Sequence, residues 1–226
     1  MHNIQIRQEI LDRVVARRGR INFFESMVPS KTALVVIDMQ NTFCAKGSPA
    51  EVASSRGIVP SINALTPQLR AMGVPVIWVL HANTQHEGKS DWDLFYNYVV
   101  AGEVRDRTLV SNAPENQAVY SELDHTDKDV VIVKNRYSAL IPGSSSLERV
   151  LRSMGIDTLL IAGTKTNICC ESTARDAMMM DFKVAMLSDC CAALSDEEHR
   201  AALENIIQQF GNVMTSDEAL GMLKSS

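Results

Sequence analysis

What most constrains the fold of this chain is a series of short, uninterrupted apolar runs set apart by helix-length segments. The first is Thr32-Ala33-Leu34-Val35-Val36-Ile37-Asp38. A run without in-and-out alternation needs protein on both of its faces, which is the situation of a strand inside a parallel sheet covered by helices. Residues 74–80 repeat the pattern, with Pro75 confined to the strand's start. Residues 129–133, 158–162 and 183–187 supply three further strands, and residues 212–215 a short sixth. Between them, residues 58–72 read as a helix stopped at Gly73. Residues 144–154 read as another, with Ser144 or Ser145 as cap, Glu148 placed for a capping box, and Gly155 as the stop. Residues 196–210 and a last segment from Ser216 complete the helices. Alternation of this kind predicts an α/β fold, a doubly wound three-layer α/β/α arrangement around a six-stranded, mainly parallel sheet of order 3-2-1-4-5-6.

A length of 226 residues suits one such domain, here residues 31–226, preceded by a helical arm over residues 1–30. Apolar side chains at 4, 6, 10, 11, 14 and 15 among charged ones mark an amphipathic helix over residues 4–18, which either packs on its own domain or reaches a partner subunit. A net charge of −5 speaks against nucleic acid or an anionic membrane as partner. The apolar runs fall far short of the roughly 20 residues that span a bilayer. Arg7, Glu9, Asp12 and Arg13 interrupt anything resembling a signal-peptide core. The cysteines at 44, 169, 170, 190 and 191 are odd in number and contain two adjacent pairs, a poor disulfide framework, so reduced thiols in a cytoplasmic protein are expected. Cys190 and Cys191 read as small core residues.

Ligands of doubly wound sheets bind beyond the carboxyl ends of the strands, where strand order reverses. Asp38, Lys134 and Cys169 stand at the carboxyl ends of the first, third and fourth strands. In the order 3-2-1-4-5-6 the first and fourth strands are neighbours at the reversal, so Asp38 and Cys169 are expected to face each other there. Cys169 falls in the first turn of the helix that follows the loop at Gly163, where free N–H groups and the helix dipole favour a thiolate. It is the candidate nucleophile. Cys170, about 100° further around that helix, reads as packing.

Asp38-Met39-Gln40-Asn41-Thr42-Phe43, Lys134, and Gly163-Thr164-Lys165-Thr166-Asn167-Ile168-Cys169-Cys170-Glu171-Ser172-Thr173 together resemble the isochorismatase-like cysteine hydrolases, over about residues 32–217. The resemblance implies a catalytic triad of Asp38, Lys134 and Cys169, an oxyanion hole of the Lys165 and Cys169 backbone N–H groups, a non-proline cis peptide at Thr164-Lys165, and assembly as a homodimer or homotetramer. Thr42 stands where the family often has Asp, and Lys165 where a small or branched residue is usual. Gln40, Asn41 and Phe43 are expected to line the pocket by position. The Arg136-Tyr137-Ser138 stretch resembles that of ureidoacrylate amidohydrolases, so that Arg136 either clamps a substrate carboxylate or forms a structural ion pair. Glu171 and Arg175, one turn apart, read as a structural ion pair.

Nicotinamidases of the family place an Asp and histidines after the first strand to hold a metal. Residues 44–57 contain neither, so no metal and no cofactor is expected, and His81 and His86 read as plain polar residues. Residues 81–114 are weakly periodic, with Trp92, Phe95, Tyr96 and Tyr98 available either for packing or as the wall of a substrate pocket. The expected activity is cysteine-dependent cleavage of a C–N bond in a small amide, carbamoyl or ureido compound. A vinyl-ether hydrolase, a thiol redox protein and a non-catalytic scaffold are the alternatives.

Overall fold

Six strands form the sheet: β1 (Thr32–Ile37), β2 (Val76–His81), β3 (Val130–Lys134), β4 (Thr158–Thr164), β5 (Lys183–Ala192) and β6 (Asn212–Met214), as seen in a computed structural model that describes residues 2–224. Their hydrogen-bonded order is 3-2-1-4-5-6 and every pairing is parallel. The helices in chain order are α1 (Gln8–Arg18), α2 (Asn41–Cys44), α3 (Val59–Ala71), α4 (Asp93–Tyr98), α5 (Gly102–Ser111), α6 (Leu147–Ser153), α7 (Glu171–Met179), α8 (Asp196–Gln209) and α9 (Ser216–Lys224).

All six residues of β1 are buried, and they divide by alternation between two cores. Leu34 and Val36 join Leu65 and Leu69 of α3 and Leu220 of α9 on one face. Ala33, Val35 and Ile37 join Leu147, Ala174 and Leu203 of α6, α7 and α8 on the other. This two-sided burial is the physical content of the unbroken apolar run.

Two backbone features at the carboxyl edge position the site. Asp38 has φ +56°, a left-handed conformation uncommon for a residue with a Cβ, and its N–H donates to Val79 O at 2.8 Å. Gly163 of β4 lies beside Ile37, and a Cβ on it would fall 2.0 Å from Ile37 O, so the strands approach as they do only because position 163 has no side chain. The Thr164-Lys165 peptide is cis.

Several boundaries differ from the sequence reading. β5 runs on to Ala192 because its pairing with β4 skips: Ile161 faces Met186 and Gly163 faces Cys191, with the intervening residues accommodated by an irregularity. Helix α1 starts at Gln8, with Ile4 and Ile6 packed against the core as an extended lead. It lies on α8 of the same chain, with Arg7 forked onto Glu204. The capping box expected at residue 148 does not form; Ser145 Oγ accepts from Leu147 N–H at 3.0 Å, and Glu148 faces Arg152 at 3.8 Å. Residues 81–114 carry α4, α5 and a small ribbon of Gln85–His86 with Lys89–Ser90. No helix among the described residues is long and apolar enough to cross a membrane.

Candidate active site

Three strand ends converge on one buried cluster. Lys134, last residue of β3, places its ammonium 2.9 Å from Asp38 Oδ2, with both side chains enclosed. The contact is electrostatic rather than directional. The ammonium's aligned hydrogen bonds run to Arg136 O at 3.0 Å and His81 Nδ1 at 3.2 Å, and neither Asp38 oxygen receives an aligned donor. Cys169 interacts with both charged groups. Burial raises the Asp38 pKa above the usual carboxylate value, against the attraction of Lys134 and the Cys169 thiol. For Lys134 burial works downward, but Asp38 and then Cys169 together outweigh it and raise its pKa above the ordinary lysine value.

Cys169 sits in a wide π-type turn, Thr166–Cys170, that runs directly into α7. The turn is anchored from both ends: Lys165 C=O accepts from Ile168 N–H (3.1 Å) and Cys170 N–H (3.2 Å), and Thr166 Oγ1 bonds His199 Nδ1 at 2.8 Å. Against the pull of the helix dipole and of Lys134, burial first and then the negative charge of Asp38 push the Cys169 pKa well above the ordinary thiol value. The Asp38 carboxylate, paired with Lys134, is coupled to this thiol.

A cavity of about 430 Å³ opens onto Asp38 and Cys169. Phe43, Trp92, Phe95 and Tyr137 wall it. The rings support one another, with Trp92 stacked on Phe95 at 4.8 Å and edge-on to Tyr137 at 4.7 Å. Such a pocket is apolar on one side and presents the Asp38 carboxyl, the Cys169 sulfur and Lys165 on its polar side.

A model of the isochorismatase domain matches residues 32–218. The chain belongs to the isochorismatase family. This isochorismatase-family hydrolase is 33% identical over 207 residues to the ureidoacrylate amidohydrolase of Pseudomonas syringae pv. syringae, covering 85% of this chain and 83% of that one. It is 28% identical over 226 residues to the ureidoacrylate amidohydrolase of Agrobacterium fabrum, covering 89% and 93%. Among solved structures it resembles a cysteine hydrolase from Pseudomonas syringae pv. phaseolicola, with TM-score 0.75, 29% identity, and coverage of 91% of this chain and 97% of that one.

Within this isochorismatase-family fold, the sequence-derived site residues divide. Asp38, Lys134 and Cys169 meet, and Phe43, Tyr137 and Lys165 line the cavity. Gln40, Asn41 and Arg136, expected at the pocket, are engaged elsewhere. Gln40 is buried with its amide clamped to the backbone of His81, accepting from the N–H at 2.6 Å and donating to the C=O at 2.9 Å. Asn41 is exposed at the start of α2. The Arg136 guanidinium donates to Asn135 O and Asp91 O, both at 2.7 Å, and lies over Trp92, outside the lining of this cavity and without an ion-pair partner among the described residues. Thr42 binds Ser111 through O at 3.1 Å and Oγ at 2.9 Å, tying α2 to the end of α5. Glu171 and Arg175 do form an ion pair, at 2.6 Å. All five cysteines are free and buried.

His81 is the residue that sequence reasoning misjudged. It ends β2 in register with Lys134, and burial together with the Lys134 charge holds its pKa well below the usual imidazole value. A neutral ring that accepts from Lys134 at Nδ1 carries its proton on Nε2, which points at Asn83 Oδ1 2.6 Å away. Asn83 is fixed in turn by Tyr96 and Asp91. This chain orients the ammonium. Its signal in the sequence was the strand-end position of His81, the same rule that selected Lys134.

Proposed function

We propose that this hydrolase is a cysteine amidohydrolase that cleaves the C–N bond of a small carbamoyl or ureido compound. The observation that carries the reading is the enclosed Asp38 carboxylate, lacking an aligned donor, beside the Cys169 thiol and the Lys134 ammonium. An amide or urea carbon is a weak electrophile, and a sulfur nucleophile divides its hydrolysis into two lower steps. As the thiol proton passes to Asp38, sulfur bonds to the carbonyl carbon and the C=O electron pair moves onto oxygen. Collapse of that oxyanion breaks the C–N bond, and Asp38 returns the proton to the departing nitrogen. Water then attacks the S-carbamoyl or S-acyl intermediate and gives its proton to Asp38. The S–C bond breaks, the thiol is restored, and a carbamate or acid leaves. Lys134 keeps the negative charge of the Asp38 and Cys169 pair tolerable in a buried setting. Backbone N–H groups of Lys165 and Cys169 serve as oxyanion donors in this reading, each worth about 3 kcal/mol by analogy with other hydrolases.

The similarity to ureidoacrylate amidohydrolases supports a ureido substrate. The test is ammonia release by wild type and Cys169→Ala with ureidoacrylate, biuret, triuret, N-carbamoyl amino acids, nicotinamide and simple amides, with product analysis of isochorismate alongside. Cysteine-dependent turnover of a carbamoyl or ureido compound is the expected result. Pyruvate from isochorismate without any ammonia-yielding reaction would assign the vinyl-ether activity instead.

A further inference from the structure

Lys165 is half-buried on the wall of the catalytic cavity, and its ammonium makes no hydrogen bond or ion pair among the described residues. The other charges that line this cavity are already balanced. Asp38 is compensated by Lys134 at 2.9 Å. Glu51 accepts from Gly47 N–H and faces Arg56, both at 2.7 Å. Lys165 therefore leaves the cavity with one uncompensated positive charge, two residues beyond Gly163 and four before the nucleophile. In an enclosed space lined by aromatic rings such a charge acts more strongly than it would in water. Arg136 is not among the residues that line this cavity, its guanidinium being turned to the Asn135 and Asp91 carbonyls.

We infer that the Lys165 ammonium is the specificity group that binds an anionic substituent of the substrate, a carboxylate carried by the carbamoyl or ureido compound. The assignment deepens the hydrolase reading and rests on Cys169 as the nucleophile. It makes the preferred substrates ureido or carbamoyl acids rather than neutral ureas such as biuret. The side chain performs this role whatever its backbone N–H contributes to the oxyanion.

The experiment compares two electrophiles of matched shape, iodoacetate and iodoacetamide, in their rates of alkylating Cys169 in wild type, Lys165→Met and Lys165→Arg. The expected result is a fall of about tenfold or more in the iodoacetate-to-iodoacetamide ratio for Lys165→Met, in keeping with loss of a charged contact, and recovery of most of the ratio in Lys165→Arg. A ratio in Lys165→Met equal to that of wild type overturns the inference, including the case where both rates fall together, since that marks a structural role. A parallel comparison of an N-carbamoyl acid with its methyl ester reads the same preference in kcat/KM. Silence of every carbamoyl compound in that assay refutes the hydrolase reading alone, and the alkylation ratio still decides the role of Lys165.

Discussion

The ammonium of Lys134 and the carboxylate of Asp38 lie 2.9 Å apart with 0% and 1% of their side chains exposed. A pair so fully desolvated costs more to break than it contributes when intact, because removing one member strands the other's charge. Asp38→Asn or Lys134→Met alone is expected to lower stability by about 3–5 kcal/mol, measured by urea unfolding. The double variant should recover a large part of that loss, and none of the three should turn over substrate. Additive losses in the double variant would show that the two groups are not coupled.

Cys169→Ala should abolish turnover while leaving the far-ultraviolet circular dichroism unchanged. Cys170, fully buried with its sulfur toward Ala162 O, should be replaceable by Ala with most of the rate retained. The proposed role of Asp38 as proton acceptor predicts that Asp38→Asn slows alkylation of Cys169 at pH 7 by about tenfold or more, whereas faster alkylation would mean that the Asp38 charge acts only to hold the thiol pKa up. Mass-spectrometric mapping of the alkylated cysteine separates the two neighbours.

Gly163→Ala tests the close approach of β4 to β1. The added methyl carbon would meet Ile37 O at 2.0 Å, at a φ of +118° that side chains avoid. Both effects oppose folding, and a loss of at least about 2 kcal/mol is expected, read as a lowered midpoint of denaturant unfolding. Alkylation of Cys169 in the folded fraction should also slow, since Asp38 follows Ile37 directly.

The pH dependence of stability should show His199. Burial holds its pKa down, from 6.5 to about 4. Around pH 5 the unfolded chain binds this proton and the native chain does not, so the contribution is present above pH 6.5 and is lost as the pH falls through about 4. The difference corresponds to about 3 kcal/mol. His81 is held down in the same direction, so His199→Gln should flatten the slope between pH 4 and 6.5 without removing it, measured by urea unfolding at several pH values.

The sheet was legible in the sequence because burial on both faces leaves a one-dimensional trace, the unbroken apolar run. The strand-end rule then located Asp38, Lys134 and Cys169. It failed at His81 only because residues 74–80 were ended one position early. Gln40 and Asn41 were assigned by position next to Asp38 and Arg136 by resemblance, yet a residue's direction at a strand end depends on backbone turns such as the left-handed Asp38, which no periodicity reports. Helices α4 and α5 were hidden for a different reason: they are short, and α4 turns Phe95 and Tyr96 toward a cavity and leaves Tyr98 exposed rather than presenting a stripe to the core. The upward pressure of burial on the Cys169 pKa was not legible, because helix dipoles are visible in a sequence and desolvation is not.

The reactive cluster is assembled from the ends of β1, β3 and β4, which are far apart along the chain and are joined only through parallel pairings across β2 and β1. Contacts of such long sequence separation form late, after the loops between them have closed. Reactivity at Cys169 that depends on Asp38 is therefore a clock for folding as well as a sign of catalysis: during refolding it should emerge with the last parallel pairing, later than helix content, and a truncated chain lacking any one of these strands should never acquire it.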